Sequence, residues 1–207
     1  MIVEVMKMRY RKKSFKVDDI SDMKRRLEDN FSYDIHTLGD TFIIRSLKFS
    51  TYKDVEYSLV YYRRDPSYIE LHKKKNYHDS YDLERIPLTE EEVEAIFSKD
   101  SSDLLRPIKP LLEELLAKVT NDDIRPLEIY ENETYVFEYH LSETKIILST
   151  KERVSHMIDD FFKDDMICEI NNEARIDVIY KELLPSTILT IITEAKDLDL
   201  RSKLATS

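Results

Sequence analysis

Apolar positions recur along this chain at two periods, one near 3.6 and one of 2, and the switches between them predict its elements. Val3 to Lys16 reads as a strand carrying Lys7, Arg9, Arg11, Lys12, Lys13 and Lys16. Asp18 to Phe31 follows as a helix, with Ile20, Met23, Leu27 and Phe31 on its buried face and Lys24, Arg25 and Arg26 outside. Strands come next at Tyr33–Leu38, Thr41–Phe49, Val55–Arg64 and Ser67–Lys73, with Gly39-Asp40 and Asp65-Pro66 supplying two of the turns. Lys75 to Arg85 is polar and turn-like. Thr89-Glu-Glu-Glu92 caps a short helix to Phe97, and Pro110 opens a second helix that runs to Val119.

Beyond Pro126 the pattern predicts strands near 127–130, 134–140 and 144–149. Ser149-Thr-Lys-Glu152 has the form of a capping box, and Val154, Met157, Ile158 and Phe161 recur at helical spacing, so a helix is expected over about 151–163. A strand near 166–170 follows. Arg175-Ile-Asp-Val-Ile-Tyr180 and Ile188-Leu-Thr-Ile-Ile-Thr-Glu-Ala-Lys196 are then two β-branched runs around Pro185-Ser186, which predicts a hairpin. The whole reads as an α+β chain of antiparallel or mixed sheets with flanking helices. Three segments are expected: a basic α+β module at 1–75, a helical connector at 76–125 and an α+β module at 126–207.

The hairpin brings candidate chemistry with it. If its turn centres on Pro185 and Ser186, Asp177 lies opposite Glu194, and alternation puts Glu194 and Lys196 on the same face. Two carboxylates and an ammonium on one face suit a divalent cation and a developing negative charge. An acid on one strand and an acid-x-Lys on the next resembles the PD-(D/E)XK, restriction-endonuclease-like nuclease superfamily. That resemblance covers about thirty residues around the hairpin. It implies a restriction-endonuclease-like core in the C-terminal half and a metal-dependent phosphodiesterase acting on DNA or RNA, or an inactive relative of one. Asp177 and Glu194 would hold Mg²⁺ or Mn²⁺, and Lys196 would orient the attacking water or offset charge in the transition state. Glu152 would be either the further acid that the superfamily draws from the preceding helix or simply a helix cap.

Composition narrows the alternatives. A single glycine, Gly39, excludes phosphate loops, dinucleotide turns and nucleophile elbows, which need several glycines for close backbone approach. One cysteine, Cys168, excludes an internal disulfide and a cysteine zinc site, and points to an intracellular location. No apolar run approaches about 20 residues, so no membrane span is expected. The absence of glutamine with abundant Glu and Lys resembles hyperthermophile composition and suggests an archaeal or archaeal-virus source.

The net charge of −10 is unevenly divided: residues 1–75 carry +5 and residues 76–207 carry −15. Nucleic-acid contact would therefore fall in the N-terminal third, through Arg9, Arg11, Lys12, Lys13, Arg63 and Arg64. The same residues also fit a solvated sheet face kept from aggregating by its charges. A rival to the enzyme is a non-catalytic regulatory or accessory protein that binds nucleic acid through the basic sheet or a protein through the acidic half. The charge asymmetry also allows the two halves to meet across a homodimer interface.

Overall fold

The computed structural model describes residues 8–31, 35–37, 42–63, 66–104, 107–139, 143–171 and 174–193. In chain order the elements are β1 (Met8–Val17), α1 (Ile20–Phe31), β2 (Ile35–Thr37), β3 (Phe42–Phe49), β4 (Val55–Arg63), β5 (Tyr68–Asn76) and β6 (Tyr81–Leu88). Then come α2 (Glu90–Ser98), α3 (Pro110–Thr120), β7 (Pro126–Tyr139), β8 (Thr144–Ser155), a 3-10 turn at Ile158–Asp160, β9 (Glu169–Asn171), β10 (Ala174–Tyr180) and α4 (residues 186–193). The strands follow the order β2-β7-β3-β4-β5-β6-β1-β10-β8-β9, with β7 also pairing β8.

The chain divides into two compact units, each discontinuous in sequence. The first holds Met1–Arg9, Phe42–Asn132 and Arg153–Ile170; the second holds Tyr10–Thr41, Glu133–Glu152 and Asn171–Ser207.

In the first unit β3 to β6 form an antiparallel meander, and its register explains the core. Leu47 faces Leu59, Leu59 faces Leu71, and Leu71 faces Ile86, so four buried side chains make one row across four strands. Alternation then puts their neighbours on the opposite face. Helices α2 and α3 cover the apolar row with Val93, Ile96, Leu111, Leu112, Leu115, Leu116 and Val119. Each such aliphatic side chain contributes about 1.5–3 kcal/mol as an upper figure.

The helix ends follow local rules. Thr89 accepts from the Glu92 amide at 3.3 Å, while Glu92 accepts from the Thr89 amide at 2.8 Å. Pro110 occupies the first turn of α3, where its missing N–H costs nothing. With one glycine in the chain, left-handed positions fall to other residues: Lys53, Lys99, Asp122 and Glu143 all have positive φ, at roughly 1 kcal/mol each.

The second unit packs α1 and α4 with apolar residues of β1, β7, β8 and β10. Its core contains Val17, Met23, Leu27, Phe137, Ile146, Leu148, Ile176, Val178, Ile188, Ile191 and Ile192. Strand β10 is hydrogen-bonded on both sides, to β1 and to β8, antiparallel in each case.

Several sequence expectations are corrected here. The expected α+β class, with a restriction-endonuclease-like core near the C-terminus, gives way to a predominantly β chain, with ten strands among the described residues. Residues 186–193 are helical, so no hairpin forms. Ile188, Ile191 and Ile192 are buried at helical spacing and Leu189 is exposed, a period that outweighs the β-branched composition. Thr190 donates to the Ser186 carbonyl and Thr193 to that of Leu189, one turn back in each case. The expected helix at 151–163 is strand β8 as far as Ser155, because Leu148 and Ser149 pair with Ile176 and Arg175. The polar stretch at 75–85 lies mostly in β5 and β6.

Candidate functional site: a charged strand face and a lysine-lined pocket

On the meander face away from α2 and α3, the same register aligns polar residues. Lys48 faces Ser58, Ser58 faces His72, and His72 faces Arg85, giving a row of two full cations, an imidazole and a hydroxyl across four strands. Strands lie about 4.8 Å apart, so the row spans roughly 14 Å of backbone. Carboxylates flank it two residues along the strands. His72 Nε2 lies 2.8 Å from Glu70 Oε2, and Lys74 Nζ lies 3.5 Å from Glu56 Oε2. Asn76 donates to Glu56 Oε1 at 2.6 Å.

The electrostatics of this face are specific. Burial alone would raise the Glu70 carboxyl, but the hydrogen bond and charge of His72, with Arg85 and Tyr62, hold it below the usual range. Tyr62, stacked on Tyr68 at 4.5 Å, has its phenol pushed up by burial and then by the Glu70 charge. Lys48 sits 3.8 Å from the centre of the Tyr130 ring. Arg85 has no carboxylate within ion-pair distance among the described residues, although its charge reaches Glu70.

The helix-covered face changes character at one end. Beyond Leu59 and Leu71 come Tyr57, Lys73 and Glu84 in register, then Val55, Lys75 and Asp82. Here α3 presents Glu114 and Lys118, and a pocket of about 270 Å³ opens, lined also by Tyr52 and Lys53. Lys73 donates to Glu114 at 2.6 Å, and the Tyr57 hydroxyl donates to its other oxygen. Burial raises the Glu114 carboxyl, but the bonds from Lys73 and Tyr57 outweigh it and hold the group low.

The residues singled out in the sequence fall as follows. Asp177 is buried on β10, accepts from Ser14 Oγ at 2.6 Å, and pairs with Lys12 at 2.9 Å and Arg175 at 3.4 Å. Its strand partners are Ser14 and Ile147. Glu152 pairs with Arg175 at 3.5 Å. Asp177, Lys12 and Glu152 thus belong to one ionic cluster in the second unit, linked through Arg175. Glu194, Lys196 and Arg64 lie outside the described residues. Arg9 donates to Asp82 at 3.0 Å and lies over the Tyr77 ring, while Arg11 reaches the Glu182 carbonyl at 3.5 Å. Lys13 is exposed on β1. Arg63 binds Glu131 at 3.3 Å and Asp164 at 2.6 Å. Most of these cations therefore serve partners within the chain.

No family model matches the sequence, and no curated protein is significantly similar to it. Solved structures do match. A candidate adenylate cyclase from Bacillus halodurans has a TM-score of 0.52 at 11% identity, covering 97% of this chain and 92% of its own. A candidate adenylyl cyclase from Hippeastrum, described as having a dominant triphosphatase activity, has a TM-score of 0.52 at 11% identity, with coverage of 91% and 85%. A chain of the Schizosaccharomyces pombe Mediator head module has a TM-score of 0.51 at 8% identity, with coverage of 96% and 94%.

The chain shares the fold of these structures. At these identities the likeness is one of fold, and the same fold serves proteins of different description, so activity must be argued from the site.

That shared fold overturns the PD-(D/E)XK resemblance and with it the nuclease reading. The physical reason is that residues 186–193, most of the run expected to pair with β10, are helical, and both edges of β10 are already occupied. The nucleic-acid-binding alternative finds no support either. Structures of this fold come from a bacterium, a plant and a yeast as well as archaea, so it carries no sign of an archaeal virus. Among the described residues, no three His, Cys, Asp or Glu side chains gather as metal ligands, and no helix is long and apolar enough to cross a membrane.

The sequence did contain the row. Lys48, Ser58, His72 and Arg85 each adjoin a buried Leu or Ile (Leu47, Leu59, Leu71 and Ile86), but only the register aligns them.

Proposed function

We propose that this chain binds a triphosphate-bearing ligand along the Lys48–Ser58–His72–Arg85 row. The observation that carries this reading is the row itself: long cationic side chains on separate strands, with an imidazole and a hydroxyl donor between them. Successive phosphates of a linear polyanion present negative charge at regular intervals, and separate donors on adjoining strands suit that pattern. The fold is shared with a protein described as having triphosphatase activity.

Mg²⁺ or Mn²⁺ fits the site as the counter-ion of the ligand rather than as a resident of a protein cage. Mg²⁺ is commonly held by one or two carboxylates plus substrate phosphates. Glu56 and Glu70 flank the row, and Glu70 stays ionised at neutral pH because its carboxyl is held low. Such an ion would neutralise charge between phosphoryl oxygens. Arg85 and Lys48 position the phosphate chain, and Ser58 donates a hydrogen bond to it.

Calorimetric titration with inorganic tripolyphosphate and with ATP, each with Mg²⁺, tests the proposal. Arg85→Ala should weaken binding at least tenfold, about 1.4 kcal/mol or more, and leave the melting temperature unchanged because Arg85 is exposed. Wild-type protein that ignores both ligands at millimolar concentration, or binding indifferent to Arg85→Ala, would end it. Inorganic phosphate release in the same samples separates turnover from binding alone.

A further inference from the structure

We infer that the lysine-lined pocket at the end of α3 is a second anion site, built for a free oxyanion of phosphate or pyrophosphate size. It lies on the opposite face of the meander from the proposed triphosphate row. Of its four lysines, only Lys73 has a carboxylate partner, Glu114 at 2.6 Å. Among the described residues Lys53, Lys75 and Lys118 have none within ion-pair distance.

Two of these ammoniums converge on one ring. Lys118 Nζ lies 4.2 Å and Lys53 Nζ 5.0 Å from the centre of Tyr52. Like charges gathered around one ring repel each other, and a bound anion lowers that repulsion. Lys53 also has a left-handed backbone, with φ of 47°, in the tight turn that pairs Tyr52 with Val55. The turn carries a conformational cost, and Lys53 lines the pocket.

Size restricts the occupant. A volume of about 270 Å³ falls below the range typical of drug-sized ligands and suits a small anion. Against these four lysines stand Glu84, Glu114 and Asp82, the last already neutralised by Arg9 at 3.0 Å. The pocket therefore presents net positive charge to a small anion.

Thermal-shift titration of the full chain with inorganic pyrophosphate, and separately with inorganic phosphate, provides the test. All measurements use the Arg85→Ala background, which weakens the triphosphate row, and that protein should still be stabilised by both anions. The double variant Lys53→Ala/Lys118→Ala should lose at least tenfold in affinity while keeping the circular-dichroism spectrum of the wild type. The conservative Lys118→Arg should retain most of the response. A shift that survives in the double variant, or that disappears in Arg85→Ala, would overturn the proposal. Failure of tripolyphosphate to bind the row would leave this result unaffected.

Discussion

Glu131 holds three guanidinium groups, and removing its charge should expose how the first unit is stabilised. Its Oε2 accepts from Arg45 Nε at 2.9 Å, from Arg45 Nη2, and from Arg63 at 3.3 Å; its Oε1 accepts from Arg153 at 3.1 Å. Arg45 is 0% exposed, and its Nη1 donates to the carbonyls of Asp160, Phe161 and Lys163 at 3.0, 2.8 and 2.7 Å. In Glu131→Gln, Arg63 and Arg153 can turn towards water. Arg45 cannot, because the carbonyl cage holds it and no solvent reaches it. Breaking a buried ion pair from one side typically costs about 3–5 kcal/mol. For a chain of this size that corresponds to a fall of about 6–20 °C in melting temperature. The control is Asp164→Asn, which removes an ion pair of Arg63 at 2.6 Å whose acid is 93% exposed; its cost should stay below about 1 kcal/mol. Thermal and urea denaturation followed by circular dichroism measures both. If Glu131→Gln costs no more than Asp164→Asn, the carboxylate does not compensate a buried charge and the reasoning fails.

Two further outcomes follow from the packing and the carboxylates. Leu71→Ala, in the middle of the Leu47–Leu59–Leu71–Ile86 row, should cost about 2–5 kcal/mol in urea unfolding, whereas Leu189→Ala on the exposed side of α4 should stay within about 0.5 kcal/mol. Asp160 has its carboxyl held low, first by the hydrogen bond from Lys163 at 2.9 Å and also by the Ile167 amide and Ser155. Its stabilisation is therefore fully present above the unfolded carboxylate pKa, about 3.9, and is lost as the pH falls further through the folded value. Melting temperature recorded from pH 7 to 2.5 should fall less steeply below pH 4 in Asp160→Asn; an identical acid limb would refute this.

Legibility in the sequence followed the distance over which each signal acts. The helices α1, α2 and α3 were readable because their evidence lies within one or two turns: Ile20, Met23 and Leu27 on one face, the Thr89–Glu92 box, and Pro110 ahead of Leu111, Leu112, Leu115 and Leu116. Strands β3 to β5 of the meander were readable from alternation between turn residues, whereas the polar start of β6 read as a turn. The errors came where a short apolar run fitted both periods. Residues 188–193 are rich in Ile and Thr yet bury positions 188, 191 and 192, and the residues around Glu152 carry a plausible cap yet continue strand β8.

The sequence alone determined which faces are apolar and where helices begin, since those depend on neighbouring side chains and backbone amides. Only the tertiary structure decided which strands meet. Asp177 finds Ser14, 163 residues away, and Lys48 aligns with Arg85 only once three strand registers are fixed. Register between strands is set by burial summed over the whole sheet, a non-local quantity that no window of sequence contains. The fold and the cation row both belong to that non-local part, because each arises from pairing between segments and from no single segment.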